Sequence, residues 1–379
     1  MLKLEGFKAG NSIKSADYKY FMPELVNKAY GWDSRELTAL AEQAALKLGQ
    51  LDAYSDMVPN IDHFIRMYKI KEATVSSRIE GTQTNMEEAV LAEKDINPEQ
   101  RNDWREVNNY IKAMNNALNT FERLPLSSRL LREAHGDLMK NARGQHKQPG
   151  EFRRSQNWIG GSSPANAAFV PPLWEQVNPL MGDLENFLHN NDTGLTHIMK
   201  IALAHYQFET IHPFLDGNGR IGRLMITLYL IEQNVLRKPV LYLSDFFEKN
   251  RTSYYDNLTR VRTHNDMVNW LKFFITGVIE TGQSAIQSLK DILLLKQDCE
   301  EKRIYQLGKK VATAKKLLDH LFLQPVVDAE QVAQATGLSL VSSYKMIDDF
   351  VKQGILHEMT GYKRNRLFMF EEYFSIFKK

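Results

Sequence analysis

At 379 residues the chain is long enough for two or three domains, each with a sizeable core. Its hydrophobic fraction of 43% and charged fraction of 25% are ordinary for globular protein, and a net charge of +2 gives no global bias toward nucleic acid or an anionic membrane. No apolar run approaches the roughly 20 residues of a membrane span, and the single cysteine, Cys299, excludes an internal disulfide framework.

The opening residues, M-L-K-L-E-G-F-K, lack an apolar signal core, and one cysteine fits a reducing compartment, so a cytoplasmic location is expected. Residues 1 to about 60 read as an irregular arm and then a helix over 34–48. Asp33 with Glu36 resembles a capping box, and Ala41, Ala44, Ala45 and Leu48 suggest close helix packing. Within 61–90, Phe64, Met67 and Tyr68 recur at helical spacing as one packed face. That helix continues into S-S-R-I-E-G. Ser76 and Glu80 are one turn apart and share a face, and Gly81 is a helix stop.

Two helices are predicted over 102–145, separated by Pro125. Trp104, Val107, Tyr110, Ile111 and Met114 form the first apolar face, and Leu130, Leu131, Ala134, Leu138 and Met139 the second. His135 sits among apolar positions and reads as a satisfied core histidine. Residues 149–172 are rich in proline, glycine and small polar residues, which argues against a long helix. Extended pieces at 156–159 and 168–170 would make a hairpin.

The densest chemistry lies at 212–223, H-P-F-L-D-G-N-G-R-I-G-R. Ile198, Ile201, Ala202, His205 and Phe208 predict a helix before it, and Leu224, Ile226, Leu228 and Ile231 one after it, starting near Asn218. Pro213 and Gly217 favour a tight loop between them. Gly217 and Gly219 let a ligand approach backbone N–H groups at a helix start, where an anion is favoured. Arg220 and Arg223 share a helix face, and two guanidinium forks there suit a polyphosphate. Asp216 is placed to hold a divalent cation bridging phosphate oxygens. His212 has an imidazole able to take a proton from an attacking hydroxyl.

This stretch matches, at every specified position, the H-P-F-x-[DE]-G-N-G-R-x-x-R signature of the Fic family, which it resembles. Members of that family typically transfer AMP from ATP to a hydroxyl of a target protein. The resemblance implies ATP as co-substrate with Mg2+, and a target carrying a Ser, Thr or Tyr hydroxyl. It makes His212 the general base and Asp216 the magnesium ligand. Gly217, Asn218 and Gly219 become an anion hole, and Arg220 and Arg223 orient the outer phosphates. Ser76, Glu80 and Gly81 resemble the family's inhibitory motif, [ST]-x-x-x-E-[GN], which implies that Glu80 pairs with Arg223 and keeps the γ-phosphate out. Residues 149–172 resemble the family's flap. Its edge would pair with an extended piece of the target, and Ile159 and Gly160 would contact the nucleotide. Tyr254 and Tyr255 are then candidates for the wall of a purine pocket.

After the signature, Trp270, Leu271, Phe274 and Ile275 read as core. Residues 283–311 read as a charged helical segment, with Leu289, Ile292, Leu293 and Leu295 clustered, that connects or dimerises. Cys299 has no base near it in sequence and is expected at the surface or at a partner contact. Residues 326–356 give a helix, a turn at Gly337 and a second helix ended by Gly354, with Gly361 between two strand-like runs. This resembles a winged helix-turn-helix. The second helix carries Lys345 and Lys352 but also Asp348 and Asp349, and the candidate wing holds Lys363, Arg364 and Arg366. DNA contact needs phosphate neutralisation, so DNA is not favoured and protein contact is at least as well supported.

The expected fold is mainly α: a Fic-type helical core with a small β-hairpin flap, plus the C-terminal winged helix-turn-helix. The expected division is 1–100 with the inhibitory helix, 101–280 as the core, 281–311 as connector and 312–379 as the last domain. The expected function is an autoinhibited protein adenylyltransferase. Its rivals are another nucleotide transferase, a phosphotransferase or a de-AMPylase on the same scaffold, or a DNA-binding regulator that senses nucleotide.

Overall fold

Apolar residues at three- and four-residue spacing make most of the chain helical. The computed structural model describes residues 1–15, 17–121, 123–140, 146–361 and 365–378. Two helices, α6 (His197–Ile211) and α7 (Asn218–Glu232), lie at the centre, buried on all sides over residues 198–211 and 218–230. A helix apolar all round must be covered all round. The cover comes from α1 (Arg35–Met57), α2 (Ile61–Ile79), α3 (Arg101–Thr120), α4 (Ser128–Leu138), α5 (Val177–His189), α8 (Ser244–Lys249), α9 (Arg251–His264) and α10 (Met267–Asp298). Trp270 Nε1 donates to the Ala202 carbonyl at 2.9 Å and fastens α10 to α6.

The arm before α1 is not irregular. β1 (Gly10–Lys14) and β2 (Lys19–Pro23) form an antiparallel hairpin, with Phe21 and Pro23 facing inward. Its short alternation, K-Y-F-M-P, supplies the half-buried strand. The cap of α1 is Ser34, whose hydroxyl accepts from Leu37 N; Asp33 instead pairs with Lys3. Ala41, Ala44 and Leu48 pack inward against α10, but Ala45 is exposed on the outer face.

The hairpin expected within 149–172 is reduced to one bridge, Ile159 to Phe169. The other edge of the Phe169–Val170 piece is already taken, because Phe21 N of β2 donates to Val170 O at 2.9 Å. Helix α10 runs unbroken through residue 281, where the sequence suggested a connector begins. It ends in a π-turn, Cys299–Arg303, which directs Cys299 into the core with no exposed surface. The expectation of a surface thiol is thus overturned. Burial pushes this thiol up to about 12, so it stays protonated.

The C-terminal region holds α11 (Val311–Leu323), β3 (Val326–Val327), α12 (Ala329–Thr336), α13 (Leu340–Lys352), β4 (His357–Glu358), β5 (Phe368–Met369) and α14 (Glu371–Ile376). The three strands pair antiparallel in the order β3–β5–β4. Asp328 and Gln331 close a capping box on α12, Gly337 ends that helix at φ 76°, and Ser339 caps α13. This region packs on α2. Phe64 meets Phe322 and Tyr373 at ring separations of 5.3 and 6.2 Å, and Tyr68 meets Phe377 at 5.2 Å. Lys363 and Arg364 of the candidate wing lie outside the described residues, while Arg366 pairs with Glu358. No helix among the described residues is long and apolar enough to cross a membrane.

Candidate functional site

The loop between α6 and α7 is fixed from several directions. His212 ends α6 in the left-handed region at φ 51°, which histidine tolerates better than most residues. Asn218 then clamps the loop: its Oδ1 accepts from Phe214 N and its Nδ2 donates to Phe214 O, both at 2.8 Å. The Phe214 ring stacks on His135 at 3.9 Å. His135 accepts from Gly150 N at Nδ1, so Nε2 carries the proton and donates to Asp216 O at 3.0 Å. Burial lowers His135 to about 4, which keeps it neutral. It is the satisfied histidine expected from sequence, and it also supports the loop from beneath.

Arg153 was not anticipated. It is 1% exposed, and its guanidinium spends its donors on carbonyls: His212 O at 3.0 Å, Pro172 O at 2.5 Å, and Ile211 O and Ser155 O at 3.3 Å. Asn157 adds donations to His212 O and Phe214 O at 3.2 and 2.8 Å. Residues 149–172 and the signature loop therefore form one joint. Arg262 extends it by lying 3.8 Å over the Phe169 ring while donating to the Thr210 hydroxyl.

Gly217 opens α7 at φ 76°, and its N–H donates to Asp216 Oδ1 at 2.6 Å. The N–H groups of the next residues have no carbonyl in a preceding helical turn to receive them. A negative group already sits there. A Cβ on Gly219 would lie 2.1 Å from Glu80 Oε1, so the Glu80 carboxylate rests directly on this first turn. It pairs with Arg223 Nη2 at 2.7 Å. Arg223 also donates to Ser76 through Nε to Oγ at 2.7 Å and Nη2 to the carbonyl at 3.0 Å. Burial works against the charge of Glu80, but Arg223 and then Arg220 outweigh it and hold the carboxyl below its usual range.

Arg220 is held by Glu106 of α3 at 3.3 Å and stands 3.6 Å from Asp216, whose side chain is 48% exposed. Tyr110, one turn beyond Glu106, donates to the Arg220 carbonyl at 2.9 Å. Glu209, three residues before His212, is buried, and that burial raises it to about 7. His212 is lowered to about 4, mainly by burial and against the pull of Glu80. Its Nδ1 has no protein partner.

The sequence-predicted residues thus divide. His212, Asp216, Gly217, Asn218, Gly219, Arg220, Arg223, Ser76 and Glu80 come together. Gly81 follows α2 at φ 102° and is exposed. Ile159 and Gly160 lie on the bridge opposite Phe169 and Ala168. Tyr254 is a correction. It is 1% exposed, hydrogen-bonds His205 Nε2 at 2.9 Å and stacks on Phe247, so it is core and not the wall of a base pocket. Tyr255 is 41% exposed and remains at the surface. Glu106 was missed although it carries a signal, a carboxylate set beside the apolar stripe of α3.

The Fic/DOC family N-terminal model matches residues 38–119, and the Fic/DOC family model matches residues 125–230. A protein adenylyltransferase Fic of Aedes aegypti is 36% identical over 125 residues, which are 33% of this chain and 22% of that protein. One of Drosophila grimshawi is 28% identical over 169 residues, 43% of this chain and 32% of that protein. The chain thus matches only a fifth to a third of these relatives' length. A Fic family protein from Desulfovibrio desulfuricans G20 has the same fold at a TM-score of 0.56 and 19% identity, with 91% of this chain and 98% of that chain covered. Fic-1 from C. elegans superposes at 0.52 and 21% identity, with 68% and 74% covered. A complete signature, two adjoining family matches and a shared helical architecture agree: this is a Fic/DOC family protein.

Proposed function

We propose that the chain is an autoinhibited protein adenylyltransferase that moves AMP from ATP to a hydroxyl side chain of a target protein. The observation that carries this reading is the Glu80 carboxylate seated over Gly219 and paired with Arg223. It stands where the resemblance puts a phosphate, and a carboxylate beside a helix start supports reading that start as an anion site. In this reading Ser76 and Glu80 keep Arg223 from the nucleotide until α2 yields.

The residues present fit magnesium in one way. Among the described residues no group of three or more His, Cys, Asp or Glu side chains could hold a metal by themselves. The half-exposed Asp216 would share the ion with phosphate oxygens, the arrangement usual for magnesium. Bound there, the cation would neutralise phosphate charge. The neutral imidazole of His212 would take the proton of the target hydroxyl. That oxygen would bond to the α-phosphorus as the α–β bridging bond breaks and pyrophosphate leaves. The first N–H groups of α7, with Arg220 and Arg223, would hold the phosphates in line. A groove of about 820 Å³ lies between the β1–β2 hairpin and residues 164–170, with Arg262 on its wall, and in this reading it would take an extended target segment.

The test uses ATP labelled at the α- or γ-phosphate with Glu80→Gly. Label should reach protein from the α position only, at least about tenfold faster than in the unaltered chain. His212→Ala should remove it by about two to four orders of magnitude. Label arriving only from the γ position would make the enzyme a phosphotransferase.

We read the C-terminal region as a winged helix-turn-helix that contacts protein. Its α13 exposes Leu340, Val341, Tyr344 and Val351, and Asp349 on the same helix pairs with Lys310.

A further inference from the structure

Positive charge gathers in the groove beside the first hairpin. Lys14, Lys19 and Arg262 stand on its wall against Asp17 alone. That is a surplus of two in one groove, equal to the net charge of the whole chain. The pairing register sharpens the point. Lys14 lies directly opposite Lys19, so both side chains leave the hairpin on one face, with Cβ atoms about 4.5–5.5 Å apart. Like charges so placed weaken a hairpin. Both lysines are exposed, and no carboxylate among the described residues pairs with either. Two positions away on each strand, Ser12 opposes Phe21 on the same face, and the Phe21 ring lies 6.1 Å from that of Phe169. The lysine pair is therefore turned toward residues 164–170, across the groove.

Both walls are tied to the turn that carries His212. Arg262 donates to Thr210 Oγ1 at 3.2 Å and to Glu209 O at 3.4 Å, two and three residues before it. On the other side Phe169 bridges to Ile159, two residues after Asn157, which donates to His212 O at 3.2 Å. The chemistry of the lining narrows the occupant. A nucleic-acid groove needs a run of phosphate contacts and open aromatic platforms. Here Asp17 would repel phosphates, and the face of Phe169 is already taken by Arg262 at 3.8 Å. Two neighbouring carboxylates on a peptide match two opposed lysines and relieve the repulsion that the free hairpin bears.

We propose that this groove docks an acidic segment of the protein that receives AMP, with neighbouring carboxylates of that segment seated on Lys14 and Lys19. That the segment belongs to the AMP acceptor rests on the transferase reading; the preference of the groove for acidic chain does not.

The probe is fluorescein-labelled hexaglutamate, followed by anisotropy with the full chain at low salt. It should bind at least about tenfold more tightly than labelled hexalysine or an eight-residue oligothymidylate. Lys14→Gln with Lys19→Gln should weaken it about fivefold to tenfold, the sum of two exposed ion pairs. The same change at the exposed pair Lys315 and Lys316 of α11 should leave it within twofold. Amide exchange across β1, β2 and residues 164–170 should slow at least twofold when the peptide is bound. Lys19→Glu turns a like-charge pair into an opposite one. It should slow exchange in the free hairpin about twofold to fivefold while weakening the peptide further than Lys14→Gln with Lys19→Gln. No binding of hexaglutamate, equal weakening by the α11 pair, tighter binding of the oligothymidylate, or loss of binding with faster hairpin exchange would each overturn the proposal. None of these readouts depends on nucleotide transfer, so an inactive chain would count against the transferase reading alone.

Discussion

His212 illustrates how much a residue's surroundings decide its chemistry. An imidazole with its ordinary pKa of about 6.5 is partly protonated at neutral pH and is then no base. Burial, the largest influence here, takes His212 down to about 4, and Arg153 and Arg262 add to the lowering. Glu80 is the main influence in the other direction, so removing it does not bring the imidazole back toward its ordinary value. A lowered pKa means the neutral, active form persists as pH falls and is lost only near the lowered value. For Glu80→Gly, the transfer rate at about pH 5.5 should therefore lie within twofold of that at about pH 7.5, where an ordinary imidazole would have lost roughly nine-tenths. A ninefold or greater loss in that interval would show that His212 is not a base held neutral by its surroundings.

The joint between residues 149–172 and the signature loop is the element most exposed to a single change. Arg153→Ala would strip a charged donor from four carbonyls near the base of His212. At about 1.5–3 kcal/mol for a hydrogen bond to a charged group, with partial relaxation, the loss should be about 3 kcal/mol or more. The urea midpoint reads it, together with faster amide exchange over 156–170. An unchanged midpoint would mean that water replaces the guanidinium without cost. Arg153, Asn157 and Glu106 show why part of the site was hidden in the sequence: the first two reach the loop from residues 149–172 and the third reaches Arg220 from α3, and no spacing rule links them to residue 212. The loop itself was legible because base, carboxylate, glycines and arginines must sit at fixed offsets within one turn and one helix start. Ser76 and Glu80 were legible because a helix face is periodic. Tyr254 was misread because its burial comes from other elements of the fold. Its ring is enclosed by His205, Phe247 and Trp270, partners that helical spacing around residue 254 does not reveal. The first hairpin escaped notice because five-residue strands give little alternation to count.

Across the whole molecule one apolar cluster runs from Leu4 to Phe377, so the C-terminal region is fastened through α2 to the part that carries the signature loop. Its outward face on α13 decides between partners. If protein contact is its task, the full chain should show no salt-dependent shift of duplex DNA at micromolar concentration, in contrast to the steep salt dependence of phosphate-binding proteins. A shift that weakens steeply with added salt would restore the DNA-binding regulator. Helix α10 carries a consequence of its own. Its 32 residues extend about 48 Å. The beam begins beside His205, where Trp270 and Phe274 lie close to that ring, and continues as one piece through Ile286, Leu289 and Ile292. Severing the chain at residue 281 would leave two frayed stubs, each baring apolar side chains to water. The natural break comes later, at Gly308, whose φ of 56° interrupts the helical path. Whoever wishes to take this molecule apart should begin there.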